Sequence, residues 1–150
     1  MTIRKIVSGG QTGVDRAALD VALELGVPCG GWCPLGRAAE DGPIDQRYPL
    51  RESPSADYAQ RTEWNVRDSD GTLVLTRGTP NGGTAQTIEV AARLEKPYLA
   101  LDLDTQPHAS AVHAWASAYH ITTLNVAGPR ESKCPGISVQ AAQFLRLVFS

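Results

Sequence analysis

Apolar and polar positions alternate between two periods along the chain. Residues 3–8 (IRKIVS) are a short apolar stretch running into a glycine pair, and they predict a strand. Val14, Ala17, Ala18, Val21, Ala22 and Leu25 then recur on one face of a helix, and Gly26 supplies its stop. Residues 27–33 (VPCGGWC) predict a second strand, broken by glycine. Residues 34–54 interrupt this rhythm with four prolines, two glycines and no apolar period. A stretch of that length in a compact domain is either functional or disordered. Ser53-Pro54 predicts an N-cap followed by proline in the first helical position. The helix expected over 55–68 carries a weak stripe of Tyr58, Thr62 and Val66.

The second half repeats the alternation more cleanly. Residues 72–76 (TLVLT) predict a strand, and Gly82-Gly83-Thr84 opens a helix packing through Ile88, Ala91, Ala92 and Leu94. Residues 98–102 (YLALD) predict a strand, followed by a helix from 107 to about 119 carrying Val112, Trp115 and Ala116. A strand over 121–126 (ITTLNV), a loop over 127–136 and a last helix over 138–149 complete the series. Val139, Ala142, Leu145 and Phe149 share one face of that helix. Continuous apolar strands alternating with helices describe an α/β fold covered on both faces. The expectation is a doubly wound, mostly parallel, Rossmann-like sheet of about five strands, one domain over residues 1–150. There is no internal repeat and no sign of a second domain.

Composition narrows the function classes. The 150 residues carry 14 basic and 16 acidic side chains, a net charge of −2. A binder of nucleic acid polymers shows a basic excess, so that class is excluded. With 42% hydrophobic and 20% charged residues, the chain reads as an ordinary globular protein. No run approaches the length of a membrane span, and MTIRKIVSGG has too short an apolar stretch for a signal peptide. Cys29, Cys33 and Cys134 are too few and too unevenly spaced for a disulfide framework, so a cytoplasmic protein is expected. Eleven of the 14 basic residues are arginine, whose fork matches phosphate and carboxylate, although a GC-rich gene produces the same bias.

In doubly wound sheets ligands bind beyond the carboxyl ends of the strands. The first such turn is Ser8-Gly9-Gly10-Gln11-Thr12-Gly13-Val14-Asp15. Its three glycines allow close approach to a ligand, and the helix behind it offers free amides to an anion. The spacing departs from the nicotinamide fingerprint GxGxxG. The alternative is turn chemistry alone, with Thr12-x-x-Asp15 as a capping box and Asp15 a cap rather than a catalyst. The second turn, Arg77-Gly78-Thr79-Pro80-Asn81-Gly82-Gly83-Thr84, offers the same features, or a plain N-cap at Thr84. In the third, Arg130, Ser132 and Lys133 suit a phosphate or an acidic group, or are simply solvated.

Region 34–70 holds five arginines, no lysine and eight acidic residues. That balance suits either a polar ligand read by donors and acceptors or an internal lattice of ion pairs. Cys29 and Cys33 fall on one side of a strand, but His108, His113 and His120 lack metal-ligand spacing, so no metal site is expected. The HExxH, GxSxG and Walker motifs are missing.

The segments SGGQTGVDRAALD, GGWCPLGRAAEDGPIDQRYPL, SPSADYAQRTEWNVRDSDGTLVL, NGGTAQT and NVAGPRES together resemble the molybdenum-carrier family. This is a Rossmann-like branch of the SLOG superfamily, which also holds the lonely-guy phosphoribohydrolases. The resemblance implies a homo-oligomer, dimer or tetramer, that binds the phosphorylated pterin of the molybdenum cofactor, or otherwise a nucleotide-like ligand. It implies Gly9, Gly10, Gln11, Thr12 and Gly13 at the ligand crevice, with Gly82, Gly83 and Thr84 on the phosphate. Thr87 and Arg130 complete the expected set, and Arg37 and Arg61 are added from their charge. Lonely-guy enzymes carry a PGGxGTxxE-like motif whose glutamate assists glycosidic cleavage. Here Gly83-Thr84 is followed by Ala85, Gln86 and Thr87, and Glu89 comes too late. Catalytic residues are therefore unassigned. A nucleotide N-glycosidase drawing a carboxylate from Asp15, Asp41 or Glu63 is the alternative, as is a regulatory module without a ligand.

Overall fold

A computed structural model describes residues 2–150; Met1, the first residue of the expected domain, lies outside them. The elements run β1 (Lys5–Val7), α1 (Val14–Leu25), β2 (Cys29–Gly30), β3 (Trp32–Cys33), β4 (Arg51–Glu52), α2 (Tyr58–Arg67) and β5 (Gly71–Thr76). They continue with α3 (Gly82–Arg93), β6 (Tyr98–Asp102), a 3-10 turn (Leu103–Thr105), α4 (Ala109–Ala118), β7 (Thr123–Ala127) and α5 (Ile137–Phe149). Five strands form one sheet in the order β2-β1-β7-β5-β6, every pair parallel. This is the expected doubly wound fold.

Strand alternation divides the sheet into two unlike faces. Leu73 and Leu75 of β5, with Leu124 and Val126 of β7, enter a large apolar core with Val14, Ala18, Val112 and Leu145. That core lies under α1, α4 and α5. The alternate positions Thr72, Thr76 and Asn125 are equally buried but polar. Over that second face lie α2 and α3, whose apolar contact is confined to Val66, Val90, Ala91 and Leu94.

The chain leaves β1 through α1 toward β2, and leaves β5 through α3 toward the opposite edge at β6. The winding direction therefore reverses around β7, and a crevice opens at the carboxyl ends of β1, β7 and β5.

Several local expectations change. The single strand over 27–33 splits at Gly31, where φ is 129° and a Cβ would fall 2.5 Å from the Ser8 carbonyl oxygen. Cys29–Gly30 joins the large sheet, while Trp32–Cys33 turns away to pair with Arg51–Glu52. The start of α2 is capped by Asp57, which accepts from the Ala59 amide, and not by Ser53, whose hydroxyl donates to the Ser55 carbonyl. The N-cap of α1 is Gly13, without a side-chain bond, so the Thr12–Asp15 capping box does not form. The N-cap of α3 is Asn81, and Thr84 lies inside the helix.

Segment 34–54 is ordered by its own small core of Leu19, Cys33, Ile44, Tyr48 and Leu50. Arg37, at φ 54°, ties it together. Its guanidinium donates to the carbonyls of Ile44 (2.9 Å), Leu50 (3.2 Å), Asp45 (2.7 Å) and Tyr48 (3.0 Å).

Candidate functional site

A cavity of about 240 Å³ occupies the crevice between α2 and α3. Four segments wall it. The turn after β1 contributes Gly9, Gln11 and Asp15; α2 contributes Tyr58, Arg61, Thr62 and Asn65. The N-terminal half of α3 supplies Gly83, Thr84, Gln86 and Thr87. From β7 and the loop behind it come residues 125–130, with Lys133 beyond. The two helices meet through the later residues Val66, Val90, Ala91 and Leu94, and through Glu63–Arg93 at 2.8 Å. Their earlier turns are left to wall the cleft.

Asp15 and Arg61 form a buried ion pair in that wall, Arg61 Nη1 donating to Asp15 Oδ2 at 3.0 Å. Their side chains are only 7% and 11% exposed. The nearby backbone amides of Gln11 and Gly128 also favour the charged form of Asp15. Burial pushes the Asp15 carboxyl up, against the pull of Arg61 and those amides. Gly9 is required beneath the guanidinium, since a Cβ there would fall 1.6 Å from Arg61 Nη1. Arg61 lies 5.3 Å from the Tyr58 ring centroid, and its buried Nε has no partner among the described residues.

The two glycine-rich turns meet at this cavity but differ in what they offer. In the first turn the amides are largely spent within the protein. Gly10 donates to Ser8 Oγ, Thr12 to Gln11 Oε1 and Val14 to the Pro129 carbonyl. At the start of α3, Thr84 and Ala85 donate back to the Asn81 carbonyl. The Gly82 and Gly83 amides donate to no acceptor among the described residues. Lys133 Nζ lies beside them, 3.3 Å from Asn81 Oδ1, and a Cβ on Gly82 would fall 2.4 Å from it. Arg130 is exposed, lies 3.6 Å from Glu40 Oε2 and lines the same cavity.

Of the residues expected from sequence, Gly9, Gln11, Arg61, Gly83, Thr84, Thr87 and Arg130 line the cavity. Thr12 and Gly13 instead border a shallower neighbouring hollow with Arg16, Glu40 and Ser132. Gly10 faces Ile44 and Leu50, Gly82 sits under Lys133, and Arg37 is consumed by the carbonyls of segment 34–54. Asp41 pairs with Arg16 at 2.9 Å and Glu63 with Arg93, so neither carboxylate reaches the cavity. Asp15 is the one carboxylate among the lining residues.

Glu40 clasps the first turn to the loop after β7. It accepts from the Thr12 and Ser132 hydroxyls and from the Ser132 amide at 3.1 Å, while its own amide donates to Gln11 Oε1 at 2.9 Å. The two hydroxyls hold its carboxyl below the usual glutamate value.

The sequence reading missed Asn125, which lies on the cavity floor. A signal for it existed: an amide at an alternate position of the otherwise apolar stretch Leu124-Asn125-Val126. Among the described residues no group of three or more His, Cys, Asp or Glu is placed to hold a metal ion. Nor is any helix there long and apolar enough to cross a membrane.

Known proteins supply the remaining finding. The model of the circularly permutated YpsA SLOG family matches residues 6–149. A crystal structure from Syntrophus aciditrophicus, titled "putative molybdenum carrier protein", is 45% identical, with a TM-score of 0.96 over 99% of this chain and 96% of that one. No curated protein matches the sequence. The matched span takes in the crevice and all four of its walls, and the chain belongs to the circularly permutated YpsA SLOG family.

Proposed function

We propose that this chain binds and carries a small phosphorylated heterocycle, pterin- or nucleotide-like, with the molybdenum cofactor as the leading candidate. One observation carries the reading. At the switch point of the sheet, the unpaired Gly82 and Gly83 amides lie beside Lys133 at the edge of a polar cleft that Arg130, 3.6 Å from Glu40, also lines, while the sole lining carboxylate is locked to Arg61. A helix N-terminus with a cation beside it favours a phosphate. The absence of a free carboxylate favours holding over cleaving.

The donor set fits the phosphorylated pterin of the cofactor. Gly82, Gly83 and Lys133 would take its phosphate, and the orphaned Arg61 Nε lies in the wall a ring would face. The dithiolene of that cofactor holds its own metal, so no protein ligand set is required. The name of the Syntrophus aciditrophicus structure agrees with this reading, although it describes that protein.

Calorimetry tests it, with neopterin phosphate and nucleoside monophosphates as probes. Gly83 has open space at its Cβ position and an ordinary φ, so Gly83→Asp is accommodated and acts through charge. A carboxylate there should weaken binding tenfold or more. Unchanged affinity in the folded variant, or no heat from any probe at millimolar concentration, overturns the proposal.

A nucleotide N-glycosidase draws on one observation, the upward push on the Asp15 carboxyl, a property that suits a general acid. Its bond to Arg61 and the nearby Gln11 and Gly128 amides oppose that role. Release of free base from nucleoside monophosphates, lost in Asp15→Asn, would establish the enzyme instead.

A further inference from the structure

The floor of the cleft carries a buried amide whose hydrogen-bonding capacity is only partly used. Asn125 of β7 and Thr72 of β5 are register partners, 3% and 0% exposed. Asn125 Nδ2 donates to Thr72 Oγ1 at 3.2 Å. That bond uses one of the two amide hydrogens. The other hydrogen and Oδ1 meet no protein atom among the described residues, and the side chain borders the cavity. These atoms are not among the enclosed unpaired atoms of the described residues; they open onto the cavity, so a donor and an acceptor stand side by side where a ligand can reach them.

The neighbouring polar groups show the contrast. Asn65, on the wall above, spends both ends of its amide on the Trp32 backbone, at 2.8 and 2.9 Å. The Thr87 hydroxyl donates to the Gly83 carbonyl at 3.0 Å.

Resting on the reading of the cleft as a small-ligand site, we propose that Asn125 is its specificity residue and reads the ring of the ligand. Thr72 fixes the amide plane. Asn125 then presents an acceptor and a donor together, which complements a planar ring carrying an adjacent donor and acceptor on one edge. Asparagine pairs with nucleobase edges in this bidentate way. Purines, pyrimidines and pterins carry such an edge; a sugar phosphate does not. Because the same cavity is rimmed by Gly83 and Lys133, a phosphate at the rim and a ring edge at the floor belong to one molecule. A phosphate ester without the ring would leave the amide unpaired, and sites built on buried polar groups discriminate strongly against such ligands.

The test compares guanosine monophosphate, adenosine monophosphate, neopterin phosphate and ribose 5-phosphate by calorimetry. The wild type should bind at least one ring-bearing probe tenfold or more tighter than ribose 5-phosphate. Asn125→Leu should bring that probe to within threefold of ribose 5-phosphate and leave ribose 5-phosphate itself unchanged. Asn125→Asp keeps the shape and removes the donor, so it should also cost the ring preference tenfold, and it stands in if the leucine variant fails to fold. Equal binding of all four probes by the wild type, or a ring preference that survives both substitutions, overturns the role of Asn125 while sparing the phosphate rim. Failure of every probe, ribose 5-phosphate included, overturns the carrier reading itself.

Discussion

Two arginines that look alike in the sequence do different work, and each role follows from its partner. Arg37 gives its guanidinium to four backbone carbonyls, a neutral acceptor set that closes a loop. Arg61 gives its own to Asp15, in a wall where both charges are nearly out of water. Removing one member of such a pair is far costlier than removing both, because the survivor is left charged and unsolvated. Asp15→Ala leaves the Arg61 guanidinium without its carboxylate partner. It should therefore destabilise the fold by about 3–5 kcal/mol in urea titrations, with the double variant Asp15→Leu, Arg61→Met recovering a good part. Equal losses in the single and double variants would show that the pair is not what holds this wall. Nothing in the spacing of the arginines separated the two cases. Each depends on contacts to residues far along the chain.

The elements differ in legibility for the same reason. The extent of α1 is plain because its stripe is local and Gly26 takes the left-handed conformation at its end. The glycine break is readable in VPCGGWC, but that its two halves join different sheets is not, since it depends on strands far along the chain. Segment 34–54 shows no period because its order comes from Arg37, a satellite core and the Glu40 clasp rather than from repeating elements. Its clasp to the first turn through Glu40 is sensitive to acid. The folded Glu40 carboxyl sits below its ordinary value, so its contribution is complete above the normal glutamate range and is lost as pH falls through the depressed value. Between about pH 5 and pH 3, amides near Glu40 and Ser132 should lose exchange protection, after correction for intrinsic rates. Glu40→Gln should lack this pH dependence. Protection that falls equally in both proteins would place the acid-sensitive contact elsewhere.

At the scale of the whole molecule the sheet is divided in labour. TLVLT reads as a uniformly apolar strand, yet its alternate positions Thr72 and Thr76 face the same side as Asn125. That pattern, once the register is known, separates a face packed into the main apolar core from a face that borders the cleft. The first is packed by α1, α4 and α5 around Leu73, Leu124 and Leu145. The second has little apolar contact beyond Val66, Val90, Ala91 and Leu94, and it leaves the cleft open. Stability and binding should thus respond to substitutions on opposite faces. Leu145→Ala removes a fully buried side chain and should cost about 2–5 kcal/mol, with calorimetric affinity for the preferred probe unchanged in the folded fraction. Thr87→Val on the cleft face removes a hydroxyl that donates to the Gly83 carbonyl but whose oxygen can still accept from a ligand, and it should cost less than about 1 kcal/mol while weakening that probe severalfold. If Thr87→Val unfolds the protein as readily as Leu145→Ala, or if Leu145→Ala weakens the probe as much as Thr87→Val, the two faces are one cooperative unit and the polar side is structural.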